Sequence, residues 1–166
     1  MQVKIIELTE ETKTAAEDLF IAYSHELGMD EQSDPRLTEK VLREKIFRGL
    51  FVKKWEEGAL FITLAAVGGE PAGFAIYQID APESDWNKRP GWGFIREFYV
   101  SPRARRQGIG RALAEHAAKR LLEKTDRLYL TGDEDEGALA FWKACGYRGT
   151  GEVNENGTYT MEQIYC

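Results

Sequence analysis

Apolar positions along the chain switch between a period of two and a period near 3.6, and each switch marks a new element. Val3 to Leu8 predicts a first strand. Ala16, Leu19, Phe20, Tyr23 and Leu27 fall at i, i+3, i+4, i+7 and i+11, which predicts an amphipathic helix that Gly28 can end. Met29 to Leu37 is a polar loop, after which Thr38 is placed to cap a second helix carrying Val41, Leu42 and Ile46, with Gly49 as its stop. Leu60 to Val67 and Ala72 to Ile79 are strand-like runs joined by Gly68-Gly69-Glu70-Pro71, a hairpin signal. Ala81 to Trp92 is a polar, aromatic loop, and Phe94 to Val100 is a β-branched and aromatic strand. From Gly110 an alanine- and leucine-rich run predicts a helix to Lys124, followed by a short strand at Leu128 to Thr131. Ala138, Phe141, Trp142 and Cys145 share one helical face, with Asp133 and Glu136 as capping candidates. Tyr147 to Glu152 and Thr158 to Tyr165 form a last hairpin around Asn156-Gly157. The predicted order is βααβββαβαββ.

Composition narrows what such a chain does. At 166 residues, with no repeat or linker, a single domain is expected, large enough for a substantial core. The net charge of −6 argues against a nucleic-acid surface, which needs a basic patch. No apolar run reaches membrane-spanning length, and the Met1-Gln2-Val3-Lys4 start does not read as a signal peptide, so a cytoplasmic protein without a membrane partner is expected. Two cysteines and two histidines supply neither a metal-ligand set nor a disulfide framework.

The most informative segment follows the central strand. Ser101 and Pro102 stop that strand, because proline supplies no ladder donor. The turn then delivers Arg105, Arg106, Gln107, Gly108, Ile109 and Gly110 to the start of a helix. Backbone N–H groups at a helix start lack partners and sit at the positive end of the dipole, which suits a phosphate. The glycines permit close approach of a ligand, and Arg103, Arg105 and Arg106 add positive charge. The spacing Gly108-x-Gly110-x-x-Leu113 lacks the third Gly or Ala of the dinucleotide fingerprint, and GxxxxGK[ST] is absent.

Arg105-x-x-Gly108-x-Gly110 after Val100-Ser101-Pro102 resembles the acetyl-CoA-binding motif of the GNAT superfamily of N-acetyltransferases. The element order is similar too. The resemblance implies an α+β, three-layer α/β/α fold with a mixed, mostly antiparallel sheet of about seven strands and four helices, spanning residues 1–166. Glu136 to Tyr147 also looks like the family's later Asn-x-x-Ala-x-x-Phe-Tyr and Gly-Phe motif, with Asp135 for the usual Asn, Trp142 for Tyr and Tyr147 for Phe. By resemblance, backbone groups of Phe98 and Val100 bind the pantetheine arm, N–H groups of Gln107 to Arg111 bind the diphosphate, and Trp142 packs against cofactor or core. The co-substrate implied is acetyl-CoA, with no metal.

Catalysis is less legible. An amine of pKa ~10.4 is about one part in a thousand neutral at pH 7, so it must lose a proton before attacking a thioester. The thiol leaving group needs less help. Where the family often uses a Tyr as acid, Trp142 cannot ionise usefully, which leaves unaided thiolate departure or Tyr99, Tyr129 or Tyr147. Arg96 and Glu97 interrupt a strand expected to be buried, and uncompensated burial of either is costly. Glu97 is read either as a residue paired for structure or as a base or ammonium anchor in an acceptor cleft. The expected acceptor loops carry Asp30, Glu31, Asp34, Glu83, Asp85, Glu152 and Glu155 against Arg36, Lys88 and Arg89, a rim that favours a cationic amine or serves solubility. The expectation is an N-acetyltransferase for a small-molecule amine. Its alternatives are a peptide or protein N-acetyltransferase and a non-catalytic acyl-CoA-binding regulatory domain. The strand-like C-terminal tail suits a homodimer.

Overall fold

Among the described residues, strand and helix signals resolve into seven strands and four longer helical elements in the predicted order. The computed structural model describes residues 2–132 and 135–165. The elements are β1 (Val3–Glu7), α1 (Lys13–Glu26), a helical stretch α2 (Glu39–Val41, Leu42–Val52 and Lys53–Glu56 in succession), β2 (Phe61–Val67), β3 (Glu70–Ile79), β4 (Gly93–Val100), α3 (Ile109–Leu121), β5 (Arg127–Gly132), α4 (Glu136–Ala144), β6 (Arg148–Val153) and β7 (Tyr159–Ile164). The strands form one mixed sheet in the order β1-β2-β3-β4-β5-β7-β6. β4 and β5 are parallel from Gly93↔Leu128 to Ile95↔Leu130, while β1–β2, β5–β7 and β6–β7 are antiparallel. No helix among the described residues is long and apolar enough to cross a membrane.

Two compact units share these elements, residues 1–76 with 97–113 and residues 77–96 with 114–166. The first is built around Phe20 of α1. Its ring lies 5.4 Å from Phe47, 5.7 Å from Phe51 and 6.3 Å from Phe74, with Leu8, Leu60, Ile62 and Leu64 completing the core. Aromatic side chains dominate core energetics because each removes so much apolar area from water. Gly28, at φ +72°, ends α1 as expected: its N–H donates to the His25 carbonyl, and that of Met29 to Ser24. At Gly73 a Cβ would lie 2.5 Å from the Tyr99 carbonyl oxygen, so glycine lets β3 approach β4 there.

The second helix does not stop at Gly49. Its middle, Leu42–Val52, winds as a π-helix, with the Lys53 N–H donating to the Arg48 carbonyl. The buried positions Leu42, Phe47 and Val52 recur every five residues, a spacing that an α-helix would spread by about 140° per step. Gly49 instead serves the winding, since a Cβ there would lie 3.0 Å from the Glu44 carbonyl oxygen. The stop comes at Gly58, at φ +74°.

The same five-residue step aims Arg43 and Arg48 at one carboxylate of α1. Arg43 donates to Glu17 at 2.8 Å, and the Arg48 Nε at 2.5 Å. Arg48 foremost, then Arg43, hold the Glu17 carboxyl below the usual range, although burial opposes them. A carboxylate with a depressed pKa stabilises the fold above its unfolded-state value and loses that contribution as pH falls through the folded one. Glu17→Gln is therefore expected to cost about 2 kcal/mol at pH 7, and progressively less on acidification below about pH 4.5, in denaturant titrations.

In the second unit β5 pairs antiparallel with β7 from Arg127↔Ile164 to Gly132↔Tyr159. Leu121, Leu128, Tyr129 and Leu130 are buried, and a Cβ on Gly93 would come within 2.7 Å of Leu128. The cap of α4 is Asp135, whose carboxylate accepts from the Ala138 N–H at 2.8 Å. Asp133, expected to cap that helix, lies outside the described residues.

Candidate active site

The turn after β4 takes the backbone shape that an anion needs. Pro102–Ala104 make one 3₁₀ turn, and Arg105 returns to an extended conformation. Arg106 then sits at φ +63°, the only non-glycine among the described residues with positive φ, and Gly108 at φ +80°. Left-handed residues just before a helix turn successive N–H groups to one side, the geometry of an anion nest. A non-glycine residue there costs on the order of 1–3 kcal/mol, and such strain clusters at ligand clamps. The Gly108 carbonyl accepts the first helical bond from Ala112 at 3.1 Å, so N–H groups at 109–111 precede the helical ladder. A Cβ built on Gly108 meets no heavy atom within 4 Å. Space over the backbone there is open, as a diphosphate requires.

Arg103 and Arg106 are exposed beside this cradle, but Arg105 is engaged with the protein. Its Nε donates to the Val100 carbonyl at 2.9 Å, and its Nη2 clamps both oxygens of Glu26 at 2.6 and 2.8 Å. Arg105 thus braces the turn against the end of β4 and the last turn of α1, which reduces the positive charge expected over the nest.

Glu97 and Tyr99 project from the same face of β4, toward α1. Glu97 is half-buried, and one carboxylate oxygen accepts from the Tyr23 hydroxyl at 2.5 Å. The Tyr23 ring packs edge-on to Phe74 at 5.4 Å and lies 5.6 Å from Tyr99. Tyr99 is buried; burial first, then the Glu26 charge, pushes its hydroxyl above the ordinary tyrosine value. Tyr23 and Glu26, one helical turn apart on α1, therefore meet Glu97, Tyr99 and Arg105. Sequence reading missed both, taking Tyr23 as part of an apolar stripe. Its hydroxyl, the one polar group in that stripe, was the available signal.

Arg96, on the opposite face of β4, bonds Gln78 at 3.1 Å and Asp85 at 2.7 Å. Its charge is answered within the second unit, where a buried polar network fixes the loop at 81–92. Asp80 is 2% exposed and accepts from Tyr129, from Gln78 at 3.0 Å and from the Arg89 N–H at 3.1 Å. Burial raises the Asp80 pKa against these bonds. The Trp86 indole donates to Tyr129 at 2.9 Å, and the Phe94 ring lies near-parallel to the Trp86 ring at 5.1 Å and to the Tyr129 ring at 4.6 Å. Trp86 and Trp92 accordingly cover this core.

Burial raises the pKa of all three tyrosines considered as acids, that of Tyr99 least. Tyr129 is fully buried, and burial followed by the Asp80 bond pushes its pKa well above the ordinary value. Tyr147 is buried and likewise raised, by burial foremost. Trp142 is 9% exposed and packs edge-on to Tyr147 at 5.5 Å and to Phe141 at 4.9 Å. Much of the acidic rim is answered internally: Asp34 by Arg36, Asp85 by Arg96, and Glu152 by Arg89 and Lys88, while Asp30 is hydrogen-bonded to the His25 ring at 2.8 Å. Arg36 holds Asp34 down to about 2. Among the described residues of that rim, Glu31, Glu83 and Glu155 carry no ion pair. No cluster of three or more His, Cys, Asp or Glu among the described residues suits a metal ion.

This fold matches known proteins. The model of the acetyltransferase (GNAT) family matches residues 16–147. The chain belongs to that family. A spermine/spermidine N(1)-acetyltransferase of Bacillus subtilis is 31% identical over 98 residues, 56% of this chain and 62% of the relative. An aminoglycoside N(6')-acetyltransferase type 1 of Stenotrophomonas maltophilia is 33% identical over 104 residues, 58% of this chain and 64% of the relative. The match spans a little under two thirds of either relative's length. The crystal structure of the PaiA N-acetyltransferase from Thermoplasma acidophilum, in complex with coenzyme A, superposes with a TM-score of 0.75 at 18% identity, covering 99% of this chain and 100% of that one. The fold is thus the mixed α+β GNAT fold that the sequence predicts.

Proposed function

We propose that this protein is an N-acetyltransferase that moves the acetyl group of acetyl-CoA directly to a primary amine of a small cationic molecule, the whole chain acting as one acetyltransferase domain. The observation that carries the reading is the nest at Arg106 and Gly108, open above Gly108 and set at the start of α3. Its N–H groups suit the diphosphate of acetyl-CoA, whose thioester supplies an activated acyl group. The curated relatives named for spermine, spermidine and aminoglycoside acetylation support a small amine as acceptor.

The amine nitrogen attacks the thioester carbonyl, the C–S bond breaks, and the proton lost by nitrogen balances the charge on the departing thiolate. Glu97 receives the ammonium proton or neutralises its charge. Tyr99, kept protonated by burial and by Glu26, is the tyrosine left to hand a proton to the thiolate. Trp142 has a packing role.

Release of the CoA thiol, measured across diamines, polyamines, amino sugars and peptides, tests this reading. Turnover with small cationic amines and not with peptides is expected. Turnover confined to peptides would assign a protein acceptor, and acetyl-CoA binding without turnover on any amine would make the chain a binding module.

A further inference from the structure

We infer that Tyr23 is a positioning residue for Glu97, holding its carboxylate ionised and aimed during the transfer. The inference rests on the reading of Glu97 as the acceptor-side carboxylate. The observation behind it is the 2.5 Å bond from the Tyr23 hydroxyl to the Glu97 Oε2, which joins α1 to β4. A strand glutamate has three rotatable side-chain bonds and points to no single place by itself. The Tyr23 ring, in contrast, is fixed by Phe74 at 5.4 Å and Tyr99 at 5.6 Å, so its hydroxyl is a rigid donor. A bond donated to an ionised acceptor is stronger than one between neutral groups and favours the charged form. Half-burial of Glu97 works against its charge, and Tyr23 offsets that cost.

The titratable and charged groups around this pair give the effect a definite sign. α1 presents Tyr23 and Glu26, β4 presents Tyr99, and the cradle turn presents Arg105, whose charge is already met by Glu26. β3 presents Phe74, which does not titrate. Removing the Tyr23 hydroxyl withdraws that bond from the carboxylate. The proton affinity of Glu97 must rise.

The test is Tyr23→Phe, which keeps the ring packing, compared with wild type over the pH dependence of kcat/KM for the amine. The acidic limb is expected to move about one pH unit upward, the scale of one bond to a charged acceptor. Acetyl-CoA KM should be unchanged. Incorporating difluorotyrosine at position 23, a stronger donor of nearly the same shape, should move the limb the other way. On a Glu97→Gln background, Tyr23→Phe should have no further effect on the profile. An unmoved limb in Tyr23→Phe, with Glu97→Gln inactive, would overturn the role of Tyr23 and leave Glu97 standing. Full turnover by Glu97→Gln would remove the carboxylate from the mechanism, and Tyr23 with it.

Discussion

Replacing Gly108 with valine is expected to abolish the thermal stabilisation that acetyl-CoA gives the wild-type protein. At about 100 times its dissociation constant, a ligand binding only the folded state adds ~2.7 kcal/mol. For a chain of this size that is a rise of roughly 5–10 °C. Gly108 combines φ +80° with open space where a side chain would stand, so a β-branched residue is penalised twice. Its Cβ strains the left-handed backbone, and its methyl groups occupy the volume over the nest. The first effect lowers Tm without ligand, while the second removes the ligand-induced shift. Scanning fluorimetry with and without acetyl-CoA separates them. A valine variant that kept the full shift would place the diphosphate elsewhere.

The turn at 105–110 was legible in the sequence because its conformation is local. Arg105 to Gly110 are neighbours along the chain, and the strand–turn–helix order fixes where their N–H groups go. Element order was legible for the same reason, from alternation in strands and glycine or proline punctuation between them. What escaped was non-local or depended on an uncommon helix. Tyr23 and Glu97 lie 74 positions apart, and Arg105 and Glu26 lie 79 apart. Nothing in either segment announces its partner. Gly49 misled because glycine ends α-helices often, whereas the recurrence of Leu42, Phe47 and Val52 at steps of five was the signal for a π-helix running through it.

The acceptor loops were misread in a related way. Counting Asp34, Asp85 and Glu152 as an acidic rim assumed that each charge faces solvent alone, but Arg36, Arg96 and Arg89 answer them. Under the proposed function, long-range attraction of a cationic acceptor therefore falls to fewer groups than the sequence suggests, and the proposal gives more of the selectivity to the carboxylate on β4.

Glu97→Gln is accordingly expected to lower turnover by ~10²- to 10⁴-fold with acetyl-CoA binding intact. The substitution is conservative for the fold, because the amide oxygen can still accept from the Tyr23 hydroxyl and no apolar contact is lost. Its consequence is chemical: an amide can neither take the ammonium proton nor offset the ammonium charge. Glu97 lies on β4, outside the 105–111 turn proposed to hold the diphosphate, so the acetyl-CoA thermal shift should survive. The kcat/KM profile should lose its acidic limb, because the group that titrates there is gone. Single-turnover acetyl transfer, measured beside the thermal shift, isolates the chemical step from binding. If the variant binds acetyl-CoA and transfers at the wild-type rate, Glu97 is a structural partner of Tyr23, and deprotonation of the amine passes to a water relay.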